Sequence, residues 1–157
     1  MGWRWNPGTP PGVLRSLARD PDRFVRRGVA VNPGTPSGVL RSLACDPDES
    51  VRRVTVLNPN VPLGILESMA NDPDVTVRCG VAVNPGTPPG TLYSLARDPS
   101  ISVRRWVAKN PSVPPDLLEG LLRDDPRVAK TAADNPNLPS ATRAMWQLAT
   151  QGTIGYR

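Results

Sequence analysis

The sequence predicts an all-α protein, a right-handed α-solenoid of about five 26-residue two-helix repeats with a divergent C-terminal cap. Three observations carry that prediction. The stretch Asn6-Pro7-Gly8-Thr9-Pro10 returns as Asn32-Pro33-Gly34-Thr35-Pro36 and as Asn84-Pro85-Gly86-Thr87-Pro88, with weaker copies starting at Asn58, Asn110 and Asn135. The step between copies is 26 residues four times and then 25, which is the signature of one supersecondary unit copied end to end. Between copies, apolar residues recur at helical spacing and an Asp-Pro pair divides each unit in two. Residues 1–157 then form a single solenoid domain, with repeats starting at 6, 32, 58, 84 and 110 and a capping partial repeat over 135–157.

With Asn6 as position 1 of the unit, the first helix starts at position 5 or 6. Pro10, Pro36, Pro62, Pro88 and Pro114 suit a first turn, where a missing N–H costs no intrahelical bond. Thr9, Thr35 and Thr87 stand just before them as expected N-caps, and Val61 and Val113 in that place predict helix starts weaker by about 1 kcal/mol. Leu14, Leu17 and Ala18 recur as Leu40, Leu43 and Ala44 and as Leu66, Met69 and Ala70, one apolar stripe at i, i+3, i+4. The second helix is expected to begin at Asp20-Pro21, Asp46-Pro47, Asp72-Pro73, Asp98-Pro99 and Asp125-Pro126, each an N-cap carboxylate followed by proline at the first helical position. Val25 and Val29, Val77 and Val81, and Val103 and Val107 give its buried side, and the next Asn-Pro stops it. Helices of about eight to ten residues are not stable alone in water, so stacking must hold them.

These residues resemble the leucine-rich repeat variant family, whose unit reads approximately N-P-x-x-P-x-x-x-L-x-x-L-A-x-D-P-x-x-x-V-R-x-x-V-A. The match runs from Asn6 to about Pro139 and is renewed in every unit. The resemblance implies an alternating helical solenoid, one α-helix and one shorter α- or 3₁₀-helix per unit, with a binding role and no catalytic residues. The family's known member carries an N-terminal cysteine cluster for an iron–sulfur centre. Met1 to Trp5 contains no cysteine, so that cofactor is not implied here, and no other cofactor or metal is expected.

The chain carries a net charge of +5 with a pI near 10, which permits polyanion binding. It has no histidine, the commonest general base and metal ligand, so an enzyme is not expected. Cys45 and Cys79 fall at different positions of the unit, which argues against a designed disulfide and for a reducing cytoplasm. Nothing resembles a membrane span or a secretory leader.

Two sets of arginines separate by helical phase. Arg26, Arg52, Arg78 and Arg104 at position 21 lie about 100° from the buried position 20, on the edge of the core. They follow Asp20, Asp46, Asp72 and Asp98 by six residues, a spacing that resembles the aspartate–arginine ladder of HEAT repeats. The expectation is a structural ladder that stops where Ala129 replaces the arginine. Arg27, Arg53, Arg105 and Lys130 at position 22, interrupted by Cys79, lie about 200° from position 20 and point outward. They form either a solvated face or a stripe for phosphate or an acidic partner.

On the first helix, positions 7 and 11 hold Gly12 and Ser16, Gly38 and Ser42, Gly64 and Ser68, and Gly90 and Ser94. Small residues permit close approach, by neighbouring helices or by a partner. Arg15, Arg19, Arg41, Tyr93, Arg97 and Arg123 flank that line, interrupted by Glu67 and Glu119. Trp106 at position 23 reads as a packing plug or, with Tyr93, a contact hot spot. Trp3 and Trp5 offer a route to end-to-end self-association, Arg143, Ala144, Met145 and Trp146 mark an atypical last unit, and the tail from Gly152 to Arg157 reads as mobile. The leading functional expectation is a non-catalytic scaffold for a protein or peptide. The alternative is sequence-independent nucleic-acid binding through the arginine rows.

Overall fold

The computed structural model describes residues 8–151, and among them the chain is all helical, with no strand. Trp3, Trp5 and the tail from Gly152 onward lie outside the described residues. The molecule divides into two compact units, Met1–Pro88 and Pro89–Arg157.

In the first unit the order is α1 (Pro11–Leu17), α2 (Arg23–Val31), α3 (Ser37–Leu43), α4 (Glu49–Val56), α5 (Leu63–Met69) and α6 (Val75–Val83). The longer even-numbered helices form one layer, in which α2 packs along α4 and α4 along α6; α1, α3 and α5 each lie against the helix that follows. The i, i+3, i+4 stripe makes this possible by placing Leu14, Leu40, Leu43 and Leu66 on the covered side, where Val29, Val51 and Val77 meet them. Val25, nearer the described edge, is half-buried. The second unit repeats the scheme with α7 (Pro89–Leu95), α8 (Ile101–Lys109), α9 (Pro115–Leu121) and α10 (Pro126–Asp134), then a longer α11 (Ser140–Gln151). Here α8 and α10 pack together over Leu92, Val103, Val107, Leu118 and Val128.

The helix starts differ from the expected ones. Pro10, Pro36, Pro62 and Pro114 are themselves the N-caps of the first helices, with no side-chain cap bond. The threonines before them face the other way: Thr35 Oγ1 donates to Val29 O at 2.6 Å and Thr87 Oγ1 to Val81 O at 2.6 Å. The Asn-Pro-Gly-Thr turn, closed by Thr35 N on Asn32 O at 3.0 Å, folds each hydroxyl onto the last turn of the preceding helix, whose carbonyls lack intrahelical donors. Val61 and Val113 are buried in the same place, so they cost no cap at a helix start that has none. Both helices of each pair are α-helical, the first of seven residues, and 3₁₀ geometry is confined to i→i+3 bonds at helix ends such as Asp20 N on Leu17 O.

The second helices begin two residues later than the Asp-Pro pairs. Their N-caps are Asp22, Asp48 and Asp74, which accept from Phe24, Ser50 and Thr76 N–H, with Ser100 in the corresponding place before α8. Asp20, Asp46, Asp72 and Asp98 instead accept the N–H two residues on, at 2.8 to 2.9 Å. The proline after each of these aspartates has no N–H to offer, so the carboxylate closes a turn around it and the helix waits for the next acceptor. Only Asp125, followed by Pro126 at the first helical position, combines cap and proline as expected.

The Asn of each Asn-Pro is buried and does more than end a helix. Asn58 Nδ2 donates to Ala30 O at 2.7 Å and to Asn32 O at 3.0 Å, while its Oδ1 accepts from Asn60 N at 2.9 Å. Asn84 Nδ2 donates to Val56 O at 2.6 Å, and Asn135 Nδ2 to Ala108 O at 2.8 Å and Asn110 O at 3.1 Å. Each carboxamide thus ties its own Asn-Pro turn to the helix end that precedes the Asn-Pro turn one period upstream. After the last rung, Arg143 supplies the donors: its Nε reaches Ala133 O at 3.0 Å and its Nη2 reaches Asn135 O at 2.7 Å. These carbonyls stand to Asn135 as Ala30 and Asn32 do to Asn32, so a guanidinium from α11 completes the series.

Two outcomes in urea unfolding follow. Asn58→Ala leaves the buried Ala30 carbonyl without its side-chain donor and the Asn60 N–H without its acceptor, and should lower stability by about 2 kcal/mol or more, with the slope unchanged. Gly38 is exposed with open space around an added Cβ, so Gly38→Ala should raise stability by about 0.5 kcal/mol; a loss on Gly38→Ala would show that an undetected neighbour crowds that helix.

Candidate functional site

The position-21 arginines are built into the fold. Arg26 makes a bidentate pair with Asp46, Nε to Oδ2 at 2.7 Å and Nη2 to Oδ1 at 2.9 Å, and its Nη1 donates to Asp20 O and Pro21 O. Arg52 does the same with Asp72, at 2.8 and 3.1 Å, and Arg104 with Asp124, at 2.7 and 2.8 Å. The carboxylate partner therefore lies 20 residues ahead, and only the backbone carbonyl is taken from the aspartate six residues behind. Arg78 holds its own copy's Asp72 O and Pro73 O at 2.8 and 3.2 Å. In the fifth copy Asp124, the residue before the capping Asp125, occupies the ladder place. Hydrogen bonding to these carboxylates pushes the Arg26, Arg52 and Arg104 guanidinium pKa values above the usual range, and Arg104 holds Asp124 below the usual carboxylate value.

The position-22 cations do not act as one set. Arg27 is half-buried with its guanidinium 5.9 Å from the centre of the Phe24 ring, and its Nε is buried without a hydrogen-bond partner. Lys130 pairs with Asp134 at 3.2 Å along the exposed side of α10. Arg53 and Arg105 remain exposed. Arg15 on α1 and Arg41 on α3, and Arg19, Arg97 and Arg123 in the turns that follow α1, α7 and α9, are all exposed as well.

Phe24, which composition alone leaves unremarked, is 61% exposed and sits under two guanidiniums, with Arg23 5.1 Å from its centre. Arg23 also reaches Asp48 at 3.1 Å. The Asp48 pKa is lowered to about 2, first by the Ser50 hydroxyl and then by Arg23. Trp106 is 38% exposed with Lys109 5.2 Å from its ring. Tyr93 donates its hydroxyl to an Asp116 carboxylate oxygen, a bond that raises its pKa. The two aromatics thus take different partners. Glycines 12, 38, 64 and 90 have open space around them, so no helix crowds that line. No group of three metal-ligating side chains occurs among the described residues, none of their helices is long and apolar enough to cross a membrane, and no disulfide joins Cys45 and Cys79.

Two sequence profiles match the chain: leucine-rich repeat variant over residues 23–48 and leucine-rich repeat variant domain over residues 78–136. A solved structure described as a leucine-rich repeat variant with a novel repetitive protein structural motif superposes with a TM-score of 0.66 at 32% identity, over 90% of this chain. The chain belongs to the leucine-rich repeat variant family. It spans 61% of that solved leucine-rich repeat variant's length, and no curated protein matches it. Within this leucine-rich repeat variant chain, the unit's Asp and Arg form the ladder and its Asn the rung between copies.

Arg52→Ala should lower stability by about 3 kcal/mol, because Asp72 is left buried without its counter-charge. Thermal melting beside far-UV circular dichroism checks it. Acid should act on the same network: Asp48 and Asp124 have folded pKa values below their unfolded ones, so their contribution is present above the ordinary carboxylate range and lost as pH falls through the folded values, about 2 for Asp48. Urea midpoints that stay constant from pH 5 to 2 would contradict it.

Proposed function

We propose that the chain is a non-catalytic interaction scaffold that binds a protein or peptide partner on the exposed face of its helices. The observation that supports this reading is the division of labour among its polar groups. Buried asparagines and paired aspartates and arginines are consumed in joining one copy to the next, while positions 10 (Arg15, Arg41, Glu67, Tyr93, Glu119) and 14 (Arg19, Cys45, Asn71, Arg97, Arg123) differ from copy to copy beside an exposed glycine–serine line kept in the first four. A fold whose copies share a core and vary on the outside offers area and a changeable pattern, which is what peptide recognition needs. A reducing cytoplasm suits the exposed Cys45 thiol. The phosphate-binding alternative draws on the net charge of +5, but its position-22 row is thinned by the stacking of Arg27, the pairing of Lys130 and the cysteine at 79.

A displayed random-peptide selection, paired with anisotropy of labelled duplex and single-stranded DNA at low and physiological salt, tests the reading. Enriched peptides that bind the folded protein, with DNA affinity absent at physiological salt, are expected. Failure to enrich any peptide, together with DNA binding whose salt slope corresponds to several phosphate contacts, would replace the scaffold with a nucleic-acid binder.

A further inference from the structure

Within the second unit, α7 and α9 border an open groove of about 310 Å³. Its apolar surface comes from Ala96, Leu117 and Leu121, and Arg97 and Arg123 stand on its rim. In a tandem array, departures from the unit are informative, because the shared core has already fixed what folding needs. Position 14 reads Arg19, Cys45, Asn71, Arg97 and Arg123 along the chain, so the last two copies alone place arginines there consecutively. Position 11 is serine in four copies and Gly120 in the fifth, and position 10 becomes Tyr93. Gly120 lines the groove, and an added Cβ there meets nothing within 4 Å. Consecutive arginines at position 14, an aromatic ring at position 10 and the glycine that replaces serine at position 11 therefore meet at one concave spot.

The charges at this spot are complementary to an anion. Asp124 is committed to Arg104, Asp116 accepts the Tyr93 hydroxyl, and Glu119 accepts the Thr142 hydroxyl at 3.1 Å. Arg97 and Arg123 have no acidic partner among the described residues, and both are exposed. We propose that this groove binds an acidic segment of a partner protein, seating one aliphatic side chain on Ala96, Leu117 and Leu121 while flanking carboxylates pair with Arg97 and Arg123. The inference rests on the scaffold reading and deepens it by naming the partner's chemistry. Guanidiniums give paired hydrogen bonds to carboxylates, and the apolar floor supplies the desolvated centre that a contact of this size requires.

The test uses a fluorescein-labelled nonapeptide with a central leucine flanked by glutamates, titrated against the full chain by anisotropy near physiological salt. Saturable binding is expected, weakened at least about tenfold when serine replaces the leucine and likewise by the double variant Arg97→Glu with Arg123→Glu. Gly120→Leu fills the groove from an exposed helix position; it should weaken binding by a similar factor without lowering the unfolding midpoint. Arg15→Glu with Arg41→Glu changes the net charge equally and should alter affinity less than about twofold. Equal losses from the two charge reversals, undiminished binding by Gly120→Leu, or no saturable binding of the nonapeptide would each overturn the groove. Should the random-peptide selection still enrich neutral or basic sequences in that event, the scaffold stands and only the groove's assignment falls.

Discussion

A helix of seven to nine residues cannot survive alone in water, and each one here must end against a neighbour with its last carbonyls turned inward. The buried asparagine carboxamide answers that constraint. One side chain caps, with its amide, the helix end just before the Asn-Pro turn one period upstream and closes its own turn with its oxygen. Because both halves of the bond are short and directional, spacing and register between copies are set together. Hydrophobic burial of the leucine and valine stripe provides the bulk of the driving force, but it is non-directional, and the rungs decide how the stripes meet.

The aspartate–arginine ladder builds on that register. Asp46 and Asp72 each close a turn with one carboxylate and receive a forked guanidinium from the copy before. The same arginine spends its remaining nitrogen on backbone carbonyls of its own copy, so a single side chain senses both. Bidentate geometry makes lysine a poor substitute. The net charge of +5 already sets the ladder aspartates against the position-21 arginines, so those pairs add nothing to what a ligand meets, and Arg53, Arg105, Arg15, Arg19, Arg41, Arg97 and Arg123 are among the exposed cations.

Much of this was legible in the sequence. The 26-residue period fixed the helix pairs, and apolar phase separated position 21 from position 22. The cap assignments shifted because the motif Asp-Pro-Asp contains two acceptors two residues apart, and only the chain's path shows which one closes the proline turn and which one caps the helix. Likewise, Asn-Pro reads locally as punctuation; that Asn58 reaches Ala30 is a long-range fact absent from any single unit. The groove's ingredients, Arg97, Gly120 and Arg123, were visible as residues, yet position alone does not show that two of them rim a concavity floored by Leu117 and Leu121.

The rungs also bear on how such an array changes over generations. A donor and its acceptors around the Asn-Pro turn one period upstream recur in near-identical stretches, as in Asn32 to Pro36 and Asn84 to Pro88, which invite unequal recombination. A duplication or deletion of one whole period would leave every carboxamide facing a suitable pair of carbonyls, so copy number is free to drift. Arg143 breaks that freedom at one place. It already occupies Ala133 O and Asn135 O, so a period spliced in after it would find its docking carbonyls taken, whereas one inserted upstream would not. The guanidinium on α11 thus works as a terminator, and expansion or contraction of the array is confined to the copies before it.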